Sequence, residues 1–103
     1  MTAPKRADPR HLEQVRRTVL NGLRGTPAKV FLFGSQARKE ARSSSDIDVA
    51  VLAESPVPPA VFARIRQALE ESVIPYEVDL VDLSRAEPQF VAAVLSEAIP
   101  WTD

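Results

Sequence analysis

Cysteine is absent from this chain, and histidine, tryptophan, tyrosine and methionine occur once each. Without cysteine there can be no disulfide framework, no zinc–thiolate centre and no thiol nucleophile. With a single histidine, His11, a serine hydrolase would have one candidate base. That residue falls in the first turn of an expected helix beside arginines, and reads as a solvated helix position. Long apolar runs are missing as well. The leading MTAPKRADPRH offers no signal-peptide core, and nothing approaches the roughly 20 apolar residues of a membrane span. A cytoplasmic protein without membrane association is therefore expected. Neither sign of charge dominates: 13 Lys and Arg stand against 14 Asp and Glu, for a net charge of −1. No general attraction to nucleic acid follows from that balance, although Arg38, Lys39 and Arg42 cluster locally. Phosphate-binding Gly-x-x-x-x-Gly-Lys-Ser/Thr, dinucleotide-binding Gly-x-Gly-x-x-Gly and metalloprotease His-Glu-x-x-His motifs are all lacking.

What is present is an ordinary globular composition in 103 residues, 45% hydrophobic and 26% charged, enough for one domain. Residues 1–7 read as a flexible tail and 8–103 as the domain. Asp8-Pro9 supplies a helix start, with Asp as cap and Pro in the first turn. Leu12, Val15, Val19 and Leu23 follow at helical spacing, and Gly22, Gly25 and Pro27 end the run. Lys29–Phe33 is a short apolar run with turn residues on both sides, read as a central strand. Gln36–Glu40 are good helix formers, and Asp46–Leu52 is a second strand. Pro58-Pro59 opens a second long helix, with Phe62, Ile65, Leu69 and Val73 on its buried face, ended by Pro75. Tyr76–Leu83 is a third strand. Pro88 starts a last helix with Phe90, Val91, Val94 and Leu95 as its apolar stripe, and Ala98–Trp101 is a short extended segment suited to a sheet edge. The order is helix, strand, small helix, strand, helix, strand, helix: an α/β or α+β domain with one sheet.

The chemistry concentrates in Lys29–Leu52, KVFLFGSQARKEARSSSDIDVAVL. Gly34-Ser35 leaves a buried strand and enters a helix, which exposes backbone N–H groups to an anion, phosphate above all. Elsewhere a Gly-Ser pair is in most cases only a turn. Asp46 and Asp48 stand two residues apart, so a strand puts both carboxylates on one face, roughly 7 Å apart. Ile47, Val49 and Val51 fill the other face. Aspartate is a poor strand former, and two on one face repel unless a positive charge lies between them. Two solvated carboxylates at a strand end would give the same pattern. Asp79, inside the apolar strand YEVDLVDL, is a third carboxylate that an adjacent strand could bring beside the first two. Three carboxylates suit a hard divalent cation such as Mg²⁺. Two such ions can serve both the attacking and the leaving oxygen of a phosphoryl displacement.

These residues match a known pattern. Gly-Ser, ten residues, then Asp-x-Asp resembles the signature of the polymerase-β-type nucleotidyltransferase superfamily. With Ala37-Arg38 after the turn and Ser45 before Asp46, it is similar to the minimal nucleotidyltransferases of bacteria and archaea. YEVDLVDL resembles that family's third-carboxylate strand, and SEAIPW its closing segment. One departure is Lys39, where the family commonly has glycine, a change that would stiffen the loop or add a phosphate contact. The resemblance implies a nucleotidyltransferase fold, a single mixed sheet flanked by about four helices. It implies ATP and Mg²⁺, two ions, with transfer of a nucleoside monophosphate to a hydroxyl. Gly34 and Ser35 would hold the triphosphate, with Arg38 and Ser45 as further nucleotide contacts. Asp46 and Asp48 would bind both metals, and Asp79 the metal next to the attacking oxygen. Small members of this kind resemble antitoxins paired with an all-helical HEPN toxin, whose tyrosine receives AMP. The competing expectations are a binding module that inhibits its partner by contact, and a transferase for a small-molecule hydroxyl.

Overall fold

The computed structural model describes residues 7–34 and 47–102. Helix α1, Pro9–Gly22, begins where the Asp8 carboxylate accepts the Arg10 N–H at 2.8 Å, with Pro9 in the first turn. Its Val15 and Val19 are fully buried, as the spacing requires. The remaining elements are β1 (Ala28–Phe33), β2 (Ile47–Ala53), α2 (Pro59–Glu71), β3 (Val78–Asp82), a 3-10 turn at Leu83–Arg85, α3 (Pro88–Glu97) and β4 (Ile99–Pro100). The strands form one mixed sheet in the order β3-β2-β1-β4. β1 is antiparallel to β2 and to β4, whereas β2 and β3 are parallel. The parallel pair follows from connectivity, because α2 carries the chain back across the sheet before β3 begins.

Period-two alternation sorts the strand residues between two layers. Ile47, Val49 and Val51 join Val30, Leu32 and Leu80 beneath α1 and α2, where Val15, Val19, Phe62, Ile65 and Leu69 complete the larger core. The helices approach so closely that a Cβ on Gly22 would collide with the Ile65 side chain. On the opposite face, Phe31, Phe33, Ala50, Leu52 and Val81 pack with Leu83, Val91 and Val94. β2 is therefore buried on both sides over most of its length, which is why IDVAVLA reads as nearly continuous apolar sequence.

The architecture is the expected α+β domain with a single mixed sheet, with differences that have local causes. Three α-helices are present among the described residues. The small helix expected after Gly34 lies outside them, as do Ser35, Arg38, Ser45 and Asp46. Val73 is not on the buried face of α2 but 85% exposed. The helix stops at Glu71, where the Ser72 hydroxyl donates to the Leu69 carbonyl at 2.6 Å and turns the chain away. β3 is shorter than expected because the Asp82 carboxylate accepts the Ser84 N–H at 3.0 Å and starts the 3-10 turn. The α3 stripe is only half covered: Val94 is buried, while Phe90 and Leu95 face outward. His11 is not fully solvated; it packs edge-on to Tyr76, ring centres 5.4 Å apart. Ala7, the last residue of the expected tail, is buried in the core.

The α1 cap carries a pH signature. The Arg10 side chain and backbone N–H, hydrogen-bonded to Asp8, lower its carboxyl from the ordinary 3.8 to about 2. Because the folded value is the lower one, this stabilisation is complete above about pH 4 and is lost as pH falls through about 2. Asp8→Asn keeps a capping side chain but does not titrate. The variant should therefore lose less thermal stability than the parent between those two pH values, as melting curves at stepped pH would show.

Candidate active site

Three residues form a row across the sheet. Asp48 on β2 is the Cα partner of Asp79 on β3, and on its other side of Phe33 on β1. Partners on neighbouring strands share a face and lie roughly 5 Å apart. The row thus runs Asp79, Asp48, Phe33 on the face that carries α3. Its members differ in surroundings. Asp48 is only 6% exposed, whereas Asp79, on the edge strand, is open to solvent.

Gly34 follows directly at the end of β1. Its φ of 72° lies in the left-handed region, and a Cβ there would collide with the Asp48 carboxylate. Glycine is needed for both reasons, and the outcome is backbone set directly against a buried carboxylate. Gly34, Asp48 and Asp79, far apart in sequence, are thereby brought together. Among the described residues no group of three metal-binding side chains assembles; Asp46 lies outside them. Sequence reasoning passed over Phe33. As the last apolar residue of a buried strand it looked like core, and only the register shows that it flanks Asp48. Its ring meets that of Phe90 edge to face, 6.4 Å between centres and 88° between planes. Hollows among the described residues also lie elsewhere: between α1 and α2 beside Arg24 and Arg64, at the far end of the sheet beside Lys29 and Glu54, and beside Arg66, Glu70 and Glu77.

A left-handed glycine turn thus lies against an aspartate that pairs with a second aspartate on the parallel neighbouring strand. The family model described as polymerase beta, nucleotidyltransferase, matches residues 19–100. The chain belongs to this nucleotidyltransferase family. A solved structure described as a candidate minimal nucleotidyltransferase superposes with a TM-score of 0.69 at 37% identity, over 90% of this chain and 95% of that one. The Haemophilus influenzae protein MntA, named a probable protein adenylyltransferase, is 34% identical over 61 residues, 59% of this chain. The match spans about half of that relative's length, 54%. A third likeness is to a complex of a tri-AMPylated Shewanella oneidensis HEPN toxin with its MNT antitoxin. There the TM-score is 0.61 at 26% identity, over 87% of this chain and 71% of that one. The nucleotidyltransferase signature therefore sits on a fold shared with minimal members of the family. Among the described residues, no helix is long and apolar enough to cross a membrane.

Proposed function

We propose that this nucleotidyltransferase moves AMP from ATP to a hydroxyl, that of a tyrosine on a HEPN-type partner, and so acts as that partner's antitoxin. The observation that carries the proposal is the register pairing of Asp48 with Asp79 against the Gly34 turn. The named activity of MntA and the AMPylated toxin beside its antitoxin support the choice of acceptor. The packed chain from about residue 8 onward would be the nucleotidyltransferase domain. Its place of action would be the cytoplasm, with the ATP pool.

The donor set fits magnesium. It consists of carboxylate oxygens, one of them buried, and adjacent like charges on neighbouring strands favour a cation between them. Asp46 and Asp48 would hold both ions and Asp79 the one on the acceptor side. When bound, Mg²⁺ supplies the positive charge that lets triphosphate and aspartates share the site. The chain's own groups do the rest. The Gly34 N–H and the Ser35 hydroxyl would donate to phosphate oxygens, with Arg38 and Ser45 as further contacts. Asp79 would accept the proton from the acceptor hydroxyl. The acceptor hydroxyl's oxygen would then bond to the α-phosphorus as that phosphorus loses its bond to the oxygen bridging to the β-phosphate, and pyrophosphate would leave.

Incubation of the partner with this protein, Mg²⁺ and ATP labelled at the α- or the γ-phosphate tests the reading. Label should pass to the partner from the α position only. Transfer of γ label, or no transfer from either position, would refute it.

A further inference from the structure

We propose that Arg66 is a positioning residue of the transfer reaction, clamping β3 so that Asp79 stays aimed beside Asp48. This rests on the nucleotidyltransferase reading, in which Asp79 serves the acceptor side.

β3 is an edge strand, five residues long, with β2 as its one neighbour in the sheet. In a parallel pair, alternate residues of each strand turn their main-chain groups toward the other. The Ile47 N–H donates to the Glu77 carbonyl at 3.1 Å, so Glu77, Asp79 and Val81 serve the ladder with β2. The main-chain groups of Val78 and Leu80 therefore point off the edge of the sheet. The Leu80 carbonyl is met there by the Arg66 guanidinium, which reaches across from α2 and donates to it at 3.0 Å. That guanidinium also lies over the Phe62 ring, 5.8 Å from its centre and one turn earlier in the helix. Phe62 is buried in the larger core, so the clamp is braced against packed interior.

The residue held is the one immediately after Asp79, and the place is one that needs holding. Asp79 stands in register with Asp48, and like charges directly opposite each other push their strands apart. β2 is backed by β1 on its far side, whereas β3 has no strand beyond it. The buried Leu80 side chain fixes one face of β3 to the core. A bond to the outward carbonyl adds a second attachment at a different angle. Together they restrain rotation of the strand about its own axis, on which the direction of the Asp79 carboxylate depends. An error of about 1 Å in placing a reacting group can cost up to about a hundredfold in rate.

The test compares Arg66→Met, which keeps an apolar stem over Phe62 but no donor, with Arg66→Lys, which keeps a charged donor. Ile65→Val is the control for lost stability alone, because it trims the packing of α2 against α1 at Gly22. ATP affinity is read by calorimetry in Mg²⁺, and transfer by α-label passed to the HEPN-type partner. Arg66→Met should bind ATP as the parent does, because the phosphate turn assigned to Gly34 follows β1. It should transfer AMP about tenfold more slowly. Arg66→Lys should recover most of the rate, and Ile65→Val should match the parent below its melting temperature. Parent-like transfer by Arg66→Met would overturn the assignment, as would equal slowing in Ile65→Val or a parallel loss of ATP affinity. Self-association of Arg66→Met with unchanged transfer would also overturn it, and would make Arg66 a guard of the sheet edge. If the parent itself transfers no AMP, the nucleotidyltransferase reading fails, a result distinct from any of these.

Discussion

Asp48→Asn should reduce AMP transfer by about a thousandfold while leaving the protein folded. The two effects separate because Asp48 has two roles. As a side chain it fills a buried position on β2, against Gly34 and beneath the face that carries α3. Asparagine has the same size and shape, so that packing survives. As a charge, it lies in register with Asp79 roughly 5 Å away. Like charges directly opposite each other across a sheet destabilise it. Removing one lessens that repulsion, and on the proposed function it also deletes an anionic ligand for the metal and triphosphate. Melting curves should thus show a cooperative transition for the variant, and a transfer assay should show almost no product. Joint loss of folding and activity would mean that Asp48 is needed for structure rather than chemistry.

Gly34→Ala should fail in the other manner, losing stability and activity together. At φ 72° any side chain is strained, by about 1–2 kcal/mol. The new Cβ would also occupy the space of the Asp48 carboxylate, which must move. Overpacking of that kind adds about 1–3 kcal/mol, so a total loss of about 2–5 kcal/mol is expected from urea denaturation. Transfer should fall beyond what the lost folded fraction explains, because the displaced carboxylate is the one paired with Asp79. A variant as stable and active as the parent would show that the turn does not press on Asp48 in solution.

Much of this arrangement was legible in the sequence because local rules encode it. Asp8-Pro9 specified the start of α1 through capping chemistry, and the alternation around Ile47, Val49 and Val51 specified which face of β2 meets the helices. Gly34 and the aspartates were flagged because glycine before a polar segment, and aspartate inside a strand, both run against propensity. What the sequence did not settle depended on partners distant in the chain. The pairing of Asp48 with Asp79 is fixed by how α2 returns the chain to the sheet, and no local pattern specifies that register. The placing of Phe33 beside Asp48 has the same origin. Val73 kept helical periodicity beyond Glu71, but Ser72 bonds back to Leu69 and ends the helix first. The α3 stripe was read correctly as apolar, yet an apolar stripe does not reveal how much of it finds cover. His11 looked like a surface residue because nothing nearby in sequence announced Tyr76.

The most direct test of protein AMPylation is the intact mass of the HEPN-type partner after incubation with this protein, ATP and Mg²⁺. The expected result is a gain of one or more AMP units on the partner, absent when Asp48→Asn replaces the parent chain. An unchanged mass, with the partner bound and silenced equally well by both forms, would contradict it and make this protein an inhibitor by contact alone.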